Sequence, residues 1–279
     1  CKSRGVLFAV HDNYIDFYPD ATDFSYEHVS FDHTGQPQRG WFNPGRGAQA
    51  YRFRPDRFQP FMKRNLTWIR DDFAPTAYFI DVWSSIMPHD FWTSDGRFYD
   101  RTATRKMWGE AFAWIRDYLG GAPQVSESGH DQLIGWLDGG QTNHLRWGHP
   151  ATGTHGMMVW NFPAKDGERI PWLDAAYHDR FIWHGAGYEQ RYVSGLDPRW
   201  HGVNSDDYIC TEVLTGHPAL THRPFGRDVV RKYWLLHDLM RAFALRRIQN
   251  VEFVDNDIHR IHVTWENGEV WVNRGEEDW

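Results

Sequence analysis

The sequence predicts an α/β fold of parallel strands closed into a barrel, followed by a short β-rich appendage. Three observations carry that prediction. The run Ala77-Tyr78-Phe79-Ile80-Asp81-Val82-Trp83 is apolar, of strand length, and rich in the aromatic and β-branched residues that suit a pleated, buried surface. Behind it come a polar loop, an amphipathic segment of helical period, Gly120-Gly121 and a second short run at Gln124-Val125-Ser126, which is the order of a βαβ unit. Past Ile248 the apolar period changes from helical to two, the mark of strands with one buried face.

The 279 residues suffice for one barrel-sized domain and a small addition. The expected division is a barrel over residues 1–247 that lacks its first strands, then the beginning of a β-rich domain over 248–279. With 30 Lys and Arg against 37 Asp and Glu the formal charge is −7, and no basic block or stripe stands out. That argues against nucleic acid and anionic membranes as partners. No apolar segment approaches the roughly 20 residues of a membrane-spanning helix. Cys1 and Cys210 form neither a disulfide framework nor a metal-ligand spacing, and there is no Gly-rich phosphate loop or His-Glu-x-x-His. A first residue that is Cys, not Met, points to processing or to a piece of a longer chain. Aromatic residues make up 16% of the chain, with 16 Trp. Rings near loops suit a cleft that stacks on flat, hydroxyl-edged ligands such as sugars, although any single Trp is more often core.

Taken in order, residues 5–10 read as a buried strand, with His11-Asp12-Asn13-Tyr14 directly behind it. Residues 15–54 hold aromatics, Gly and Pro without a period and read as a long excursion between strand and helix. Phe58, Phe61, Met62, Leu66 and Ile69 fall at helical spacing over residues 56–71 and lead into the strand that ends at Asp81. A second loop over residues 84–99 contains His89 and Trp92. The clearest helix follows: Met107, Trp108, Ala111, Phe112, Ile115, Tyr118 and Leu119 share one face, Asp100 or Thr102 caps its start, and Gly120-Gly121 ends it. Glu127 closes the next strand. Residues 157–162 and 172–177 read as strands, 207–215 and 227–247 as helices, and 251–254, 258–265 and 270–272 as strands, the last two joined at Asn267-Gly268.

Two successive parallel strands thus each finish with an acid. In a parallel barrel the C-terminal strand ends line one cleft, which makes Asp81 and Glu127 a facing pair. Two carboxylates, one ionised and one protonated, are what glycoside cleavage requires. Environment assigns the roles: Asp81, beside the polar groups of His11-Asp12-Asn13-Tyr14, as the ionised nucleophile, and Glu127 as the acid/base. Plainer roles stand beside these, Asp81 as a turn cap or an acceptor for a sugar hydroxyl, and Glu127 as the partner of an Arg. Trp83 borders Asp81 and is the better stacking platform, ahead of Trp92. Tyr177-His178-Asp179, at the end of an expected strand, offers His178 and Asp179 either as hydroxyl ligands or as a satisfied hydrogen-bonded pair. The alternatives are a barrel that binds carbohydrate without turnover, and a metal-assisted hydrolase using His11, Asp12 and His178. His259 and His262 do not share a strand face, and Asn65-Leu66-Thr67 matches a glycosylation acceptor inside an expected helix.

His11-Asp12-Asn13-Tyr14 behind one strand, Phe79-Ile80-Asp81-Val82 on the next, Ser126-Glu127-Ser128-Gly129, and the Asn267-Gly268 hairpin together resemble the glycoside hydrolase clan of α-N-acetylgalactosaminidases. That clan holds endo-acting mucin-core enzymes, their exo-acting relatives and many bacterial members. The likeness runs through most of the chain in order, on short motifs. It implies a (β/α)₈ barrel with a C-terminal β-sandwich, and retaining hydrolysis of an α-linked galacto-configured sugar, an α-N-acetylgalactosaminide or α-galactoside. Carried across position by position, it makes Asp81 the nucleophile, Glu127 the acid/base, and His11, Asp12 and Asn13 contacts to the sugar, with Tyr14 beside them. A carbohydrate partner and no cofactor or metal are expected, and such a substrate favours a secreted, periplasmic or surface-attached compartment without fixing it.

Overall fold

The computed structural model describes residues 2–127, 131–142, 172–185, 206–216 and 226–279. Contacts divide the chain into two compact units, Cys1–Asp138 and Gly139–Trp279.

The first unit is built on parallel strands linked by helices. It contains β1 (Ala9–Asn13), β2 (Asp16–Phe17), β3 (Arg39–Asn43), β4 (Ala48–Arg52), α1 (Gln59–Phe73), β5 (Ala77–Asp81), β6 (Phe91–Trp92), β7 (Phe98–Tyr99), α2 (Arg101–Tyr118) and β8 (Gln124–Ser126). β5 lies between β1 and β8 and runs parallel to both, with Asn13 level with Asp81 and Ile80 level with Ser126. α1 and α2 make the return connections, as parallel pairing requires. Local chemistry sets their ends. Pro60 sits in the first turn of α1, and its C-cap Ala74 turns left-handed while its N–H donates to Arg70 O. Asp100 caps α2 by accepting from Ala103 N at 2.8 Å. Gly120 and Gly121 adopt φ of 66° and 87°, and Gly121 N reaches back to Arg116 O, which closes the helix as Gly-Gly predicts.

Strand alternation gives this sheet two faces. Tyr78, Ile80, Gln124 and Ser126 are buried on one, and Gln124 Nε2 donates to Phe112 O of α2, so this is the helix-covered face. Phe58, Met62, Leu66, Trp108, Phe112 and Ile115 complete the core beneath it. Each such Phe, Met, Leu or Ile contributes roughly 1.5–3 kcal/mol by leaving water. A Cβ at Gly109 would stand 2.5 Å from ring atoms of Trp136, so only glycine lets α2 close on that ring. The opposite face carries His11, Asn13, Phe79 and Asp81.

The N-terminal region differs from the sequence expectation in two ways. β1 begins at Ala9, and Val6 and Leu7 lie exposed ahead of it, so His11, Asp12 and Asn13 belong to the strand and point to alternate faces. Residues 15–54 are not an irregular excursion: β2, β4 and β3 form a small antiparallel sheet in that order. A two-residue strand and a register shift between Arg39 and Phe42 hide its period of two from the sequence.

Asp12 faces the helix side. Its Oδ2 accepts from the hydroxyls of Tyr14 and Tyr78, the latter at 2.9 Å, and Asn65 of α1 donates to Tyr14 Oη at 3.3 Å. Burial holds the Asp12 carboxyl above the usual carboxylate range, an effect partly offset by those two hydroxyls. A raised folded-state value means stability is full below the unfolded value of 3.8 and falls as pH rises through the folded value. Asp12→Asn removes that dependence. In thermal melts followed by circular dichroism, the melting temperature of wild type relative to Asp12→Asn is therefore expected to be more favourable at pH 4 than at pH 7. A difference that grows toward neutral pH contradicts this account.

The second unit contains β9 (Gly139–Thr142), α3 (Trp172–Tyr177), β10 (Ile182–Gly185), α4 (Asp206–Thr215), α5 (Arg227–Phe243), β11 (Ile248–Phe253), β12 (Arg260–Trp265) and β13 (Gly268–Asn273). β9 and β10 pair parallel, and β11, β12 and β13 form an antiparallel sheet in chain order. Ile261, Val263 and Trp265 alternate inward along β12 and pack with Leu214, Phe243, Ile248, Val270 and Val272. The strands and the hairpin expected past Ile248 are present, as are the helices expected over 207–215 and 227–247, the latter ending at Phe243. Residues 172–177 form a helix where a strand is expected, because six apolar-rich residues are too few for periodicity to decide. The strand expected at 157–162 lies outside the described residues. Among the described residues no helix is long and apolar enough to cross a membrane.

Candidate functional site

The open face of the first unit's parallel strands ends in Asp81. Trp83 N donates to Asp81 O at 2.9 Å across Val82, whose φ is 70°. A β-branched residue in the left-handed region is strained by about 1–3 kcal/mol, and such strain persists only where the surroundings enforce it. Here Val82 and Trp83 are both buried beyond the turn, while Asp81 stays partly open, its side chain 23% exposed. The turn therefore separates a core-bound tryptophan from a solvent-facing acid one residue pair earlier.

Two side chains of β1 meet that acid. Asn13 Nδ2 donates to Asp81 Oδ2 at 3.2 Å, and His11 Nε2 stands 3.5 Å from the same oxygen. The His11 imidazole stacks on Phe79 at 5.2 Å between ring centroids, which fixes its place above the strand face. Glu127 follows β8 directly and is 6% exposed. Its Oε2 accepts from Ser85 Oγ at 3.1 Å, its backbone carbonyl accepts from Ser84 Oγ at 2.7 Å, and Ser84 N donates to Ser126 Oγ at 3.2 Å. The loop that leaves Asp81 is thus stitched to the residue that carries Glu127. Ile80 pairs with Ser126, the last paired position of the two strands, and Asp81 and Glu127 are the residues that come next along each chain. Ser84 and Ser85 carry this connection, and only their polarity within an aromatic stretch hints at it in the sequence.

Other expected site residues lie elsewhere. Trp83 is not a stacking platform: it is 0% exposed, parallel to Trp108 at 5.6 Å and edge-on to Phe58 and Phe112. Tyr14 is buried with its hydroxyl on Asp12, and Asp12 itself points to the helix side, so strand alternation removes both from the face that holds Asp81. The same alternation means that His11 and Asp12 cannot share one metal ion. His178, behind helix α3 and not at a strand end, is an interior residue of the second unit. Its Nδ1 lies 2.9 Å from Arg246 O and its ring meets Trp265 edge-on. Asp179 lies 3.8 Å from Arg180 Nε. Trp92 is half-buried against Phe98 and His33. His259 and His262 each face a carboxylate, Asp257 at 3.0 Å and Glu269 at 2.9 Å, and Asn65 is committed to Tyr14 within α1.

Parallel strands linked by helices are the arrangement of barrel glycoside hydrolases, and the chain shares its fold with solved enzymes of that class. Ligand-free α-N-acetylgalactosaminidase NagBb from Bifidobacterium bifidum matches over 98% of this chain with a TM-score of 0.71 and 17% identity. The same enzyme in its GalNAc complex matches over 99% with a TM-score of 0.69 and 16% identity. TtGalA, an α-galactosidase from Thermus thermophilus solved with p-nitrophenyl α-D-galactopyranoside, matches over 97% with a TM-score of 0.53 and 16% identity. The chain spans 41%, 44% and 52% of those three structures respectively. No protein-family model and no curated protein sequence matches it.

Proposed function

We propose that this chain carries the catalytic strands of a retaining glycoside hydrolase that cleaves α-linked galacto-configured sugars, α-N-acetylgalactosaminides or α-galactosides. The observation that supports this reading is that Asp81 ends β5 and Glu127 directly follows its parallel neighbour β8, with Ser84 and Ser85 of the loop beyond Asp81 hydrogen-bonded to Glu127. On this reading the two carboxyl groups stand about 5–5.5 Å apart, the separation of retaining enzymes. The shared fold with an α-N-acetylgalactosaminidase and an α-galactosidase supports the choice of sugar. On this reading the parallel strands belong to a (β/α)₈ barrel over residues 1–247, and residues 248–279 begin a β-sandwich.

In the first step the Asp81 carboxylate attacks the anomeric carbon while Glu127 gives its proton to the departing glycosidic oxygen. In the second, Glu127 takes a proton from water, which attacks the same carbon and releases Asp81. His11, exposed above Phe79, is positioned to contact a sugar hydroxyl beside the reacting carbon.

The test is hydrolysis of p-nitrophenyl α-galactoside and α-N-acetylgalactosaminide by wild type, with the first-formed sugar observed by proton NMR. Release of the α-anomer is expected. Release of the β-anomer, or no release of nitrophenol by folded protein, contradicts the proposal.

A further inference from the structure

Asp16 lies outside the proposed pair of Asp81 and Glu127, yet it is joined to Asp81 through a single side chain. We propose that Asp16 is a positioning residue that holds the Asp81 carboxylate in place by fixing Asn13. This inference rests on the reading of Asp81 as the reacting carboxylate.

A side-chain amide has two N–H donors and an oxygen with two lone pairs. Asn13 uses all four. Its Oδ1 accepts from Ile15 N at 2.8 Å and Asp16 N at 3.0 Å, and its Nδ2 donates to Asp16 Oδ2 at 3.1 Å and to Asp81 Oδ2 at 3.2 Å. The two backbone donors leave only one sense for the amide, with its nitrogen toward the carboxylates. Asn13 therefore has no donor left for a sugar hydroxyl, and the contact expected of it becomes a contact to Asp81. Asp16 is anchored in turn. Its Oδ1 accepts from Trp41 N at 2.8 Å, and a Cβ at Gly40 would stand 2.5 Å from that oxygen, so β3 holds the carboxylate through backbone alone. The order of support runs from β3 to Asp16, from Asp16 to Asn13, and from Asn13 to the oxygen of Asp81. The antiparallel sheet beside the strands acquires a purpose: it is the anvil on which the acid is set.

Asp16→Asn keeps the acceptor for Trp41 N but presents an amide group to Asn13 Nδ2, and Asn13→Ala removes the bridge. Each is expected to lower kcat by about 10- to 100-fold, the scale of a misplaced reacting group, with KM changed less than about threefold. The double variant is expected to fall no further than Asn13→Ala alone, because Asp16 acts only through Asn13. Losses that multiply, a change confined to KM, or an unchanged kcat in Asp16→Asn overturn the proposal. Gly40→Ala tests it without removing any polar group: the added methyl crowds Asp16 Oδ1 and is expected to lower kcat in the same way. Crystal structures of the full chain carrying Asp16→Asn give a readout independent of turnover. The Asn13 amide and the Asp81 carboxylate are expected to leave their places together, and an unmoved Asp81 overturns the clamp. Activity that survives Asp81→Asn overturns the hydrolase reading instead, and the clamp is then judged on those structures.

Discussion

Asp81→Asn is expected to lower kcat and kcat/KM on p-nitrophenyl α-galactoside together, by about 10,000-fold or more, the scale seen when a covalent nucleophile is lost. The change swaps one oxygen for an amide nitrogen and leaves the turn at Val82 intact, because that turn is held by backbone hydrogen bonds and by the burial of Val82 and Trp83. Its new carbonyl oxygen can still accept from Asn13 Nδ2. The fold, followed by melting temperature, is therefore expected to survive a substitution that removes turnover. Loss of turnover accompanied by unfolding contradicts this account, as does turnover within about tenfold of wild type.

Glu127→Gln is expected to give a loss that depends on the leaving group. General acid catalysis contributes about 100- to 10,000-fold, and its share grows as the departing oxygen becomes more basic. For a disaccharide with a sugar leaving group the variant should lose activity on that scale. For a p-nitrophenyl glycoside kcat/KM should fall by less than about tenfold, because nitrophenolate departs with little help. The glutamine side chain can still accept from Ser85 Oγ, and the carbonyl that binds Ser84 Oγ is backbone, so the loop stays stitched to β8. Equal losses on both substrates would remove Glu127 from the acid role. Steady-state rates on the two substrate types decide it.

Much of this arrangement is legible in the sequence, and its gaps have physical causes. The β5–α2–β8 unit could be read because β5 is short and apolar, its helix has a continuous buried face, and Asp100 and Gly120-Gly121 mark the ends of that helix. The C-terminal strands could be read because β12 alternates strictly. His11-Asp12-Asn13-Tyr14 was harder. Four polar neighbours in sequence suggest one cluster, but β1 starts at Ala9 and pleating sends Asp12 toward Tyr14 and Tyr78 while Asn13 turns to Asp81. Trp83 misleads for a related reason. Its sequence neighbour is the acid, and only the left-handed Val82, which no propensity would suggest for a β-branched residue, sends the ring into the core. Asp16 is invisible because its role is tertiary: nothing in its spacing signals that the backbone of β3 will donate to it.

Asp81 is the group proposed to attack the sugar, and chemical rescue of Asp81→Gly reads that role directly. With the carboxylate replaced by a space, added azide is expected to restore release of p-nitrophenol from the α-galactoside and to yield β-galactosyl azide, the inverted product, identified by NMR. The α-configured azide, or a folded Asp81→Gly protein that azide leaves inert, would contradict it.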